Sequence, residues 1–234
     1  MMPLFKRHFP VYQILHQTSD FLVINKLPGV SVHKDQTESG LVMAIKKDLG
    51  LQSLFMVHRL DKETSGLMVF ALNSDVAAEL AEQFRNREIE KYYLALSDRK
   101  PRRKQGAIVG DMEKSRRGAW KLLHSKNKPA KTQFLSVSVA PGLRLYLVKP
   151  ATGKTHQIRV ALKSEGAPIL GDVLYSSSKA DRMYLHAFSL AFKVNNEPFR
   201  FYCMPDIGEK FDLNCLELIV EKYNKPESIS WPKI

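Results

Sequence analysis

The feature that most constrains the fold is a series of short apolar runs, each of strand length and each bounded by polar or turn-forming residues. Five of them are FLVINK (21–26), LFMV (54–57), GLMVFAL (66–72), KYYLAL (91–96) and YLHAFSLAF (184–192). Such runs are typical of strands rather than helices. The alternating run TQFLSVSVA (132–140) is followed by a Pro-Gly turn and then by LRLYLV (143–148), which predicts a hairpin. We therefore predict an α+β fold around an antiparallel or mixed sheet.

Two segments carry the signals of helices. Asn73 or Ser74 is the predicted N-cap of the first, whose apolar residues recur at helical spacing as far as Phe84. Thr155 is the predicted N-cap of the second, which ends at Gly166. The polar tail after Lys222 contains two prolines, and we expect it to be loosely held.

Length and composition predict a single domain with a polyanionic partner. The 234 residues are enough to bury a core without disulfide staples. Lys and Arg number 36 against 24 Asp and Glu, a net charge of +12, which favours nucleic acid over a membrane surface. The two cysteines form no metal-ligand spacing, the N-terminus lacks the apolar core of a signal peptide, and no apolar run approaches the ~20 residues of a membrane span. We expect a cytoplasmic protein.

The positive charge is concentrated in one segment, residues 98–131. It contains twelve Lys and Arg against three Asp and Glu, a net of +9. Two interpretations stay open from the residues alone: a solvated hairpin or mobile loop, and an arm that contacts phosphates.

The stretch HRLDKETSG (58–66) lies between two apolar strands, which places Asp61 at the mouth of the sheet, partly buried. A buried carboxylate is costly unless it is paired, and the candidate cations are Arg59 and Arg159. Arg159 lies in the first turns of the second helix, where its guanidinium can project toward a carboxylate. Asp61 is therefore either one half of a structural ion pair or a nucleophile kept ionised by it.

Other chemistries find less support. The GKT at 153–155 resembles the end of a phosphate-binding loop, but Val148 occupies the position of the required upstream glycine. His58, His156 and His186 lack the short spacing of a zinc site, and no GxSxG elbow indicates a serine hydrolase.

Seven segments resemble, in order, the motifs of the RluA-type pseudouridine synthase family. HRLDKETSGLMVFALN is similar to its central aspartate motif, and NKLPGVSVH to the stretch that precedes it. The others are KYYLAL, PAKTQF, KPATGKTHQIRVAL, GAPILGDVLY and YLHAFSLAF. The resemblance covers about residues 20 to 205, without the S4 RNA-binding domain that many members carry.

The resemblance implies a fold and a reaction. The fold is a long mixed sheet with flanking helices and an RNA-binding cleft across its middle. The reaction converts a uridine in RNA to pseudouridine and requires neither a metal nor an organic cofactor.

The resemblance also assigns roles to residues. Asp61 is the catalytic aspartate, Arg159 pairs with it, and Tyr93, not its neighbour Tyr92, stacks on the target base. Ile158 packs on the uracil, and Arg59 fills the gap that the extruded base leaves.

The implied partner is a ribosomal RNA or tRNA stem-loop, bound by a monomer. The basic segment 98–131 would be an RNA-contacting arm inside one catalytic domain (1–234), with phosphate contacts from Arg102, Arg103, Arg116 and Arg117. Two rivals remain at this stage: an RNA-binding protein on the same fold that has lost catalysis, and a hydrolase of a nucleoside-like bond.

Overall fold

A computed structural model describes residues 11–32 and 40–234. The segments outside these ranges include His33, the last residue of the NKLPGVSVH motif. The strands are β1 Tyr12–Gln17, β2 Phe21–Lys26, β3 Phe55–Met56, β4 Ser65–Ala71, β5 Glu90–Ser97, β6 Gln105–Gly110, β7 Met112–Lys114, β8 Trp120–Leu122, β9 Ala130–Ala140, β10 Leu143–Pro150, β11 Leu185–Val194 and β12 Glu197–Tyr202. The helices are α1 Leu41–Asp48, α2 Ser74–Asn86, α3 Gln157–Ser164 and α4 Leu213–Tyr223.

Ten strands form one mixed sheet in the order β1-β2-β4-β11-β5-β10-β9-β6, with β3 on β4 and β12 on β11. The predicted α+β class and long mixed sheet are confirmed. All residues of β2 and β4 are buried, which explains why both strands contain continuous apolar runs, FLVI and LMVFA, rather than an alternating pattern. The run LFMV contributes only the two-residue strand β3.

The sheet divides at β4 and β11, a parallel pair. They pair at only two positions, Ser65 with His186 and Gly66 with Ala187. Farther along, the same edge of β4 pairs with β3, and the same edge of β11 pairs with β12. The two strands therefore diverge, and the opening between them admits a loop from outside the sheet.

The helix caps differ from the prediction at one place. Asn73 caps α2 as predicted, and its side chain accepts a hydrogen bond from the Val76 amide at 2.9 Å. The N-cap of α3 is His156, not Thr155. His156 has a left-handed backbone (φ 56°), and no side-chain cap bond is made there. The Gln157 side-chain oxygen instead accepts from the Lys154 amide at 3.0 Å, which orders the loop before the helix.

The tail after Lys222 is packed against the sheet, so the expectation of a loosely held tail was wrong. The Trp231 ring lies 5.7 Å from that of Tyr92, and its indole N–H donates to the Pro226 carbonyl at 2.9 Å. The Gln133 amide donates to the Pro232 carbonyl. The polar composition of the tail concealed these few anchoring contacts. They lie on the face of the sheet that carries Tyr92.

The basic segment 98–131 is partly built into the sheet. Its β6 is an edge strand paired with β9, whereas β7 and β8 form a separate two-stranded hairpin. A short 3₁₀ turn at Arg116–Gly118 joins β7 to β8. No helix within residues 11–32 and 40–234 is long and apolar enough to cross a membrane.

We predict that Gly66→Ala destabilises the protein more than Gly142→Ala does. Both glycines have positive φ (107° and 75°), so each alanine carries the left-handed strain of about 1–2 kcal/mol. Only at Gly66 does a Cβ also overlap the backbone of Ala187, whereas nothing lies within 4 Å at Gly142. The free energy of unfolding from urea denaturation should fall by about 2 kcal/mol more for Gly66→Ala. Equal losses would contradict the close approach of β4 and β11.

Candidate active site

A cleft of about 500 Å³ is lined by the loop between β3 and β4, the end of α2, β5 and the loop that leads into α3. The loop between β3 and β4, residues 57–64, carries Asp61 and is named here the aspartate loop. It is the HRLD segment of the sequence.

His58 anchors the beginning of the aspartate loop. Its Nε2 accepts a hydrogen bond from the Val69 amide at 3.0 Å, in the part of β4 where neither β3 nor β11 pairs. The ring also stacks on Phe84 with centroids 4.6 Å apart. Burial, and then the charge of Lys91, lowers the pKa of His58 to about 3, which keeps the ring neutral and Nε2 free to accept. This histidine is therefore a structural element of the loop.

Lys26 anchors the end of the aspartate loop, a role that the sequence analysis missed. Its side chain is fully buried, and Nζ donates to the carbonyls of Leu27, Val30 and Lys62 at 2.9, 3.0 and 2.9 Å. Burial lowers the pKa of Lys26 to about 7. The three carbonyl acceptors act in the opposite direction, because only the charged ammonium has the three N–H groups needed to donate to all of them. The Lys62 carbonyl follows directly on Asp61, so this bond fixes the backbone that carries the carboxylate.

Asp61 is paired with Arg159, as the sequence predicted. Arg159 Nη1 donates to Asp61 Oδ2 at 3.1 Å, and the guanidinium is 5% exposed. The other edge of the guanidinium makes two bonds to Asp172, from Nε at 2.7 Å and from Nη2 at 2.8 Å. Asp172 belongs to the GAPILGDVLY motif but was not singled out. It holds Arg159 in one orientation, so that a single N–H group faces Asp61.

The strand β5 separates the two neighbouring tyrosines. Tyr93 lines the cleft, whereas Tyr92 is fully buried on the opposite face beneath Trp231. Burial, and then the charge of Asp61, raises the pKa of Tyr93, so its hydroxyl stays protonated. Ile158, on the first turn of α3, adds an apolar patch to the cleft wall. The geometry thus brings Tyr93, Ile158 and Asp61 around one cavity.

The cleft wall is strongly cationic. Arg59 is exposed at its mouth, and the wall also contains four cations that the sequence analysis did not single out: Arg85, Arg87, Lys91 and Lys154. Lys91 alternates with Tyr93 on β5, and burial lowers its pKa. In the described part of the chain, Lys91 has no carboxylate within salt-bridge distance. A wall of this kind suits a phosphate-bearing ligand.

The four arginines singled out in the basic segment lie in different surroundings. Arg116 and Arg117 are exposed on the turn between β7 and β8. Arg102 is also exposed, although its amide donates to the Glu165 carbonyl at 2.8 Å. Arg103 pairs with the buried carboxylate of Glu165, which ties the segment to the end of α3. Arg103 therefore already has an acidic partner within the protein.

The serine-histidine contact in the structure does not support a hydrolase. Ser65 Oγ lies 2.8 Å from His186 Nδ1, but both residues are buried, and neither is among the cleft-lining residues. His186 Nε2 faces the Cys203 carbonyl at 2.8 Å, which fixes it as the donor and leaves Nδ1 to accept from Ser65. No cluster of three His, Cys, Asp or Glu side chains suited to a metal occurs within residues 11–32 and 40–234.

Comparison with known proteins identifies a family model, relatives and a solved structure that this chain resembles. Residues 20–164 match the family model described as RNA pseudouridylate synthase. A Haemophilus influenzae protein named as an uncharacterized RNA pseudouridine synthase is 53% identical over 199 residues, which cover 84% of this chain and 89% of that protein. The dual-specificity RNA pseudouridine synthase RluA of Salmonella typhi is 35% identical over 192 residues, covering 76% and 85%. The structure of human RNA pseudouridylate synthase domain containing 1 matches with a TM-score of 0.72, 25% identity and 87% coverage of each chain.

We predict that Lys26→Met destabilises the protein and loosens the aspartate loop. Methionine keeps an unbranched side chain, one atom shorter, but removes the three N–H donors, so buried carbonyls lose their partners. The free energy of unfolding should fall by about 3 kcal/mol. Amides of residues 59–64 should also exchange faster in native-state hydrogen exchange. Lys193→Met, at an exposed position of β11, is the control and should change neither quantity. Wild-type exchange in Lys26→Met would contradict the anchoring role.

Proposed function

Because the chain belongs to the RNA pseudouridylate synthase family and is an enzyme that isomerises uridine in RNA to pseudouridine, we propose that Asp61 is its catalytic carboxylate. The observation that carries this proposal is the arrangement Asp61–Arg159–Asp172 at the floor of a cationic cleft. A structural ion pair needs no open cavity beside it. Asp61 keeps about a fifth of its side chain exposed, so a ligand in the cleft can reach it.

The reaction balances without any further reactant. The bond between ribose C1′ and uracil N1 breaks, the uracil turns, and a bond forms between C1′ and C5. The hydrogen on C5 leaves as a proton, and N1 gains a proton. Asp61 supports this sequence by attack at uracil C6, by attack at C1′, or by removing a proton on a glycal route. Tyr93 lines the same cleft, and because its hydroxyl stays protonated it can donate in the proton transfers.

The target uridine must leave its stack before Asp61 can reach it, which costs a few kcal/mol. The cleft offers compensating contacts. Tyr93 provides an aromatic face for the flipped base, and Ile158 provides an apolar one. Arg59 is exposed at the mouth, where its planar guanidinium can occupy the space that the base leaves. The cations of the cleft wall contact the flanking phosphates.

The basic segment 98–131 extends this phosphate-binding surface. We infer contacts from Arg102, Arg103, Arg116 and Arg117, with the larger share from Arg116 and Arg117 because Arg103 already pairs with Glu165. The substrate that fits is a stem-loop of ribosomal RNA or tRNA, in which unstacking a uridine costs least. A monomer acting in the cytoplasm is consistent with one complete cleft per chain.

We predict that Asp61→Asn abolishes tritium release from cellular RNA labelled at uracil C5. Isomerisation must expel the C5 hydrogen, and the amide can neither form the covalent bond nor accept the proton. The rate of tritium release by Asp61→Asn should fall below detection. The control Asp206→Asn replaces an exposed carboxylate after β12 and should release tritium at the wild-type rate. Retained release by Asp61→Asn would remove Asp61 from the mechanism. Release of free uracil instead would indicate hydrolysis.

We predict that Arg116→Gln/Arg117→Gln weakens RNA binding and flattens its dependence on salt. Each lost phosphate contact reduces the slope of log K against log salt by roughly 0.7–0.9. The matched control is Lys222→Gln/Lys225→Gln, which removes the same charge from the end of α4 and the segment after it. Filter binding of bulk ribosomal RNA at several salt concentrations measures both slopes. An equal loss of RNA affinity and of salt dependence in both pairs of variants would mean that RNA binding depends only on the net charge of the protein.

A further inference from the structure

Tyr175 lies between the β7–β8 hairpin and the cleft, and the roles proposed above do not use it. The Trp120 amide, at the start of β8, donates to the Tyr175 hydroxyl oxygen at 2.7 Å. His156 Nδ1 lies 2.9 Å from the same oxygen. One buried hydroxyl therefore joins the hairpin to the residue that caps α3.

The hydrogen atoms of this contact can be assigned by counting donors. The Trp120 amide can only donate, so the Tyr175 oxygen accepts there. Among the described residues, the single phenol hydrogen then has one acceptor within reach, His156 Nδ1. If His156 were charged, its Nδ1–H would point at the Tyr175 oxygen, and the phenol hydrogen would lose its acceptor. The contact thus selects the neutral imidazole with its hydrogen on Nε2.

Nε2 of His156 faces the carboxylate of Asp61, with 3.9 Å between Nε2 and Oδ2. The other charged groups around the ring are Arg159 on α3, Arg59 on the aspartate loop and Asp172 in the loop after α3. Burial, and then the charge of Arg159, lowers the pKa of His156. The geometry and the surrounding charges agree on a neutral ring.

A neutral donor at this position matters for Asp61. The carboxylate already contacts one full positive charge on Arg159. A second cation beside it would stabilise the free anion further and make it a poorer nucleophile. At 3.9 Å an uncharged Nε2–H is too far from Asp61 Oδ2 for a hydrogen bond, so it turns only a weak dipole toward the carboxylate and avoids that cost. The Arg159 guanidinium also lies over the Tyr175 ring, 5.1 Å from its centroid. This cation–π contact fixes the position of the Tyr175 ring relative to the Asp61–Arg159 ion pair.

We propose that Tyr175 is a positioning residue that holds His156 as the neutral tautomer with Nε2–H toward Asp61 and links that state to the β7–β8 hairpin. This inference rests on the catalytic role of Asp61 proposed above. Arg116 and Arg117 lie on the turn of the same hairpin. A shift of the hairpin on contact with RNA phosphates would therefore be transmitted through the Trp120 amide to the donor that faces Asp61.

The first test is nitrogen NMR of histidine-labelled protein without RNA. His156 is one of seven histidines and is assigned by the signal lost in His156→Gln. We expect Nε2–H in the wild type and a titration midpoint below the usual ~6.5. In Tyr175→Phe, which keeps the ring, the midpoint of His156 should rise, because protonation of Nδ1 no longer leaves a phenol hydrogen without an acceptor. The Trp120 amide should also exchange faster. The control Tyr12→Phe, which removes an exposed hydroxyl hydrogen-bonded to Asp48, should change neither the titration midpoint of His156 nor the exchange rate of the Trp120 amide.

The second test is the pH profile of tritium release. For Tyr175→Phe we expect kcat about tenfold lower, KM for RNA within twofold, and an acid limb displaced to higher pH, since His156 now becomes charged at higher pH. Wild-type Nδ1–H, or an unchanged midpoint in Tyr175→Phe, overturns the inference even if Asp61→Asn is inactive. Conversely, the expected tautomer together with full activity of Asp61→Asn would overturn the role of Asp61 and leave the Tyr175–His156 contact intact.

Discussion

The two-residue pairing of β4 with β11 is the constraint on which the site depends. Gly66 allows the two backbones to approach, and beyond it each strand takes a different partner. The unpaired stretch of β4 then offers its Val69 amide to His58, which seats the aspartate loop inside the sheet. A continuous ladder at this place would leave no room for the loop. The loop that carries Asp61 thus occupies a position created by incomplete strand pairing.

Charge in the cleft is arranged in two zones with different chemistry. At the floor, Arg159 donates hydrogen bonds to both Asp172 and Asp61, so that one buried positive charge faces two negative charges. Breaking such an arrangement from one side leaves an uncompensated buried charge, which is why each member holds the others in place. At the wall, Lys91 and Lys154 have no such acidic partner in the described part of the chain and remain available for phosphates. The floor fixes geometry, and the wall provides attraction.

Much of the fold could be predicted because it depends on local pattern. The runs at 21–26, 66–72 and 91–96 are strands, and the Pro-Gly turn joins β9 to β10. The need of Asp61 for a cation was also predictable, since it lies at the mouth of a sheet, but the choice of Arg159 over Arg59 came from the family resemblance. The long-range partners were not. Nothing in the sequence around Lys26 indicates that its ammonium meets the Lys62 carbonyl, and nothing around Arg103 indicates Glu165. Such contacts depend on how distant segments meet, not on spacing along the chain.

The place of β11 in the sheet has a consequence for the order of folding. Of the ten strands described in the sheet, eight lie in two groups, β1 to β4 on one side of β11 and β5, β6, β9 and β10 on the other, while β12 pairs with β11 itself. Among these strands β11 alone joins the two groups, and it follows all eight of their strands in the chain. During synthesis both half-sheets can pair internally before β11 emerges, but they cannot join each other. The cleft has walls from both groups, so these walls can come together only after β11 has been synthesised.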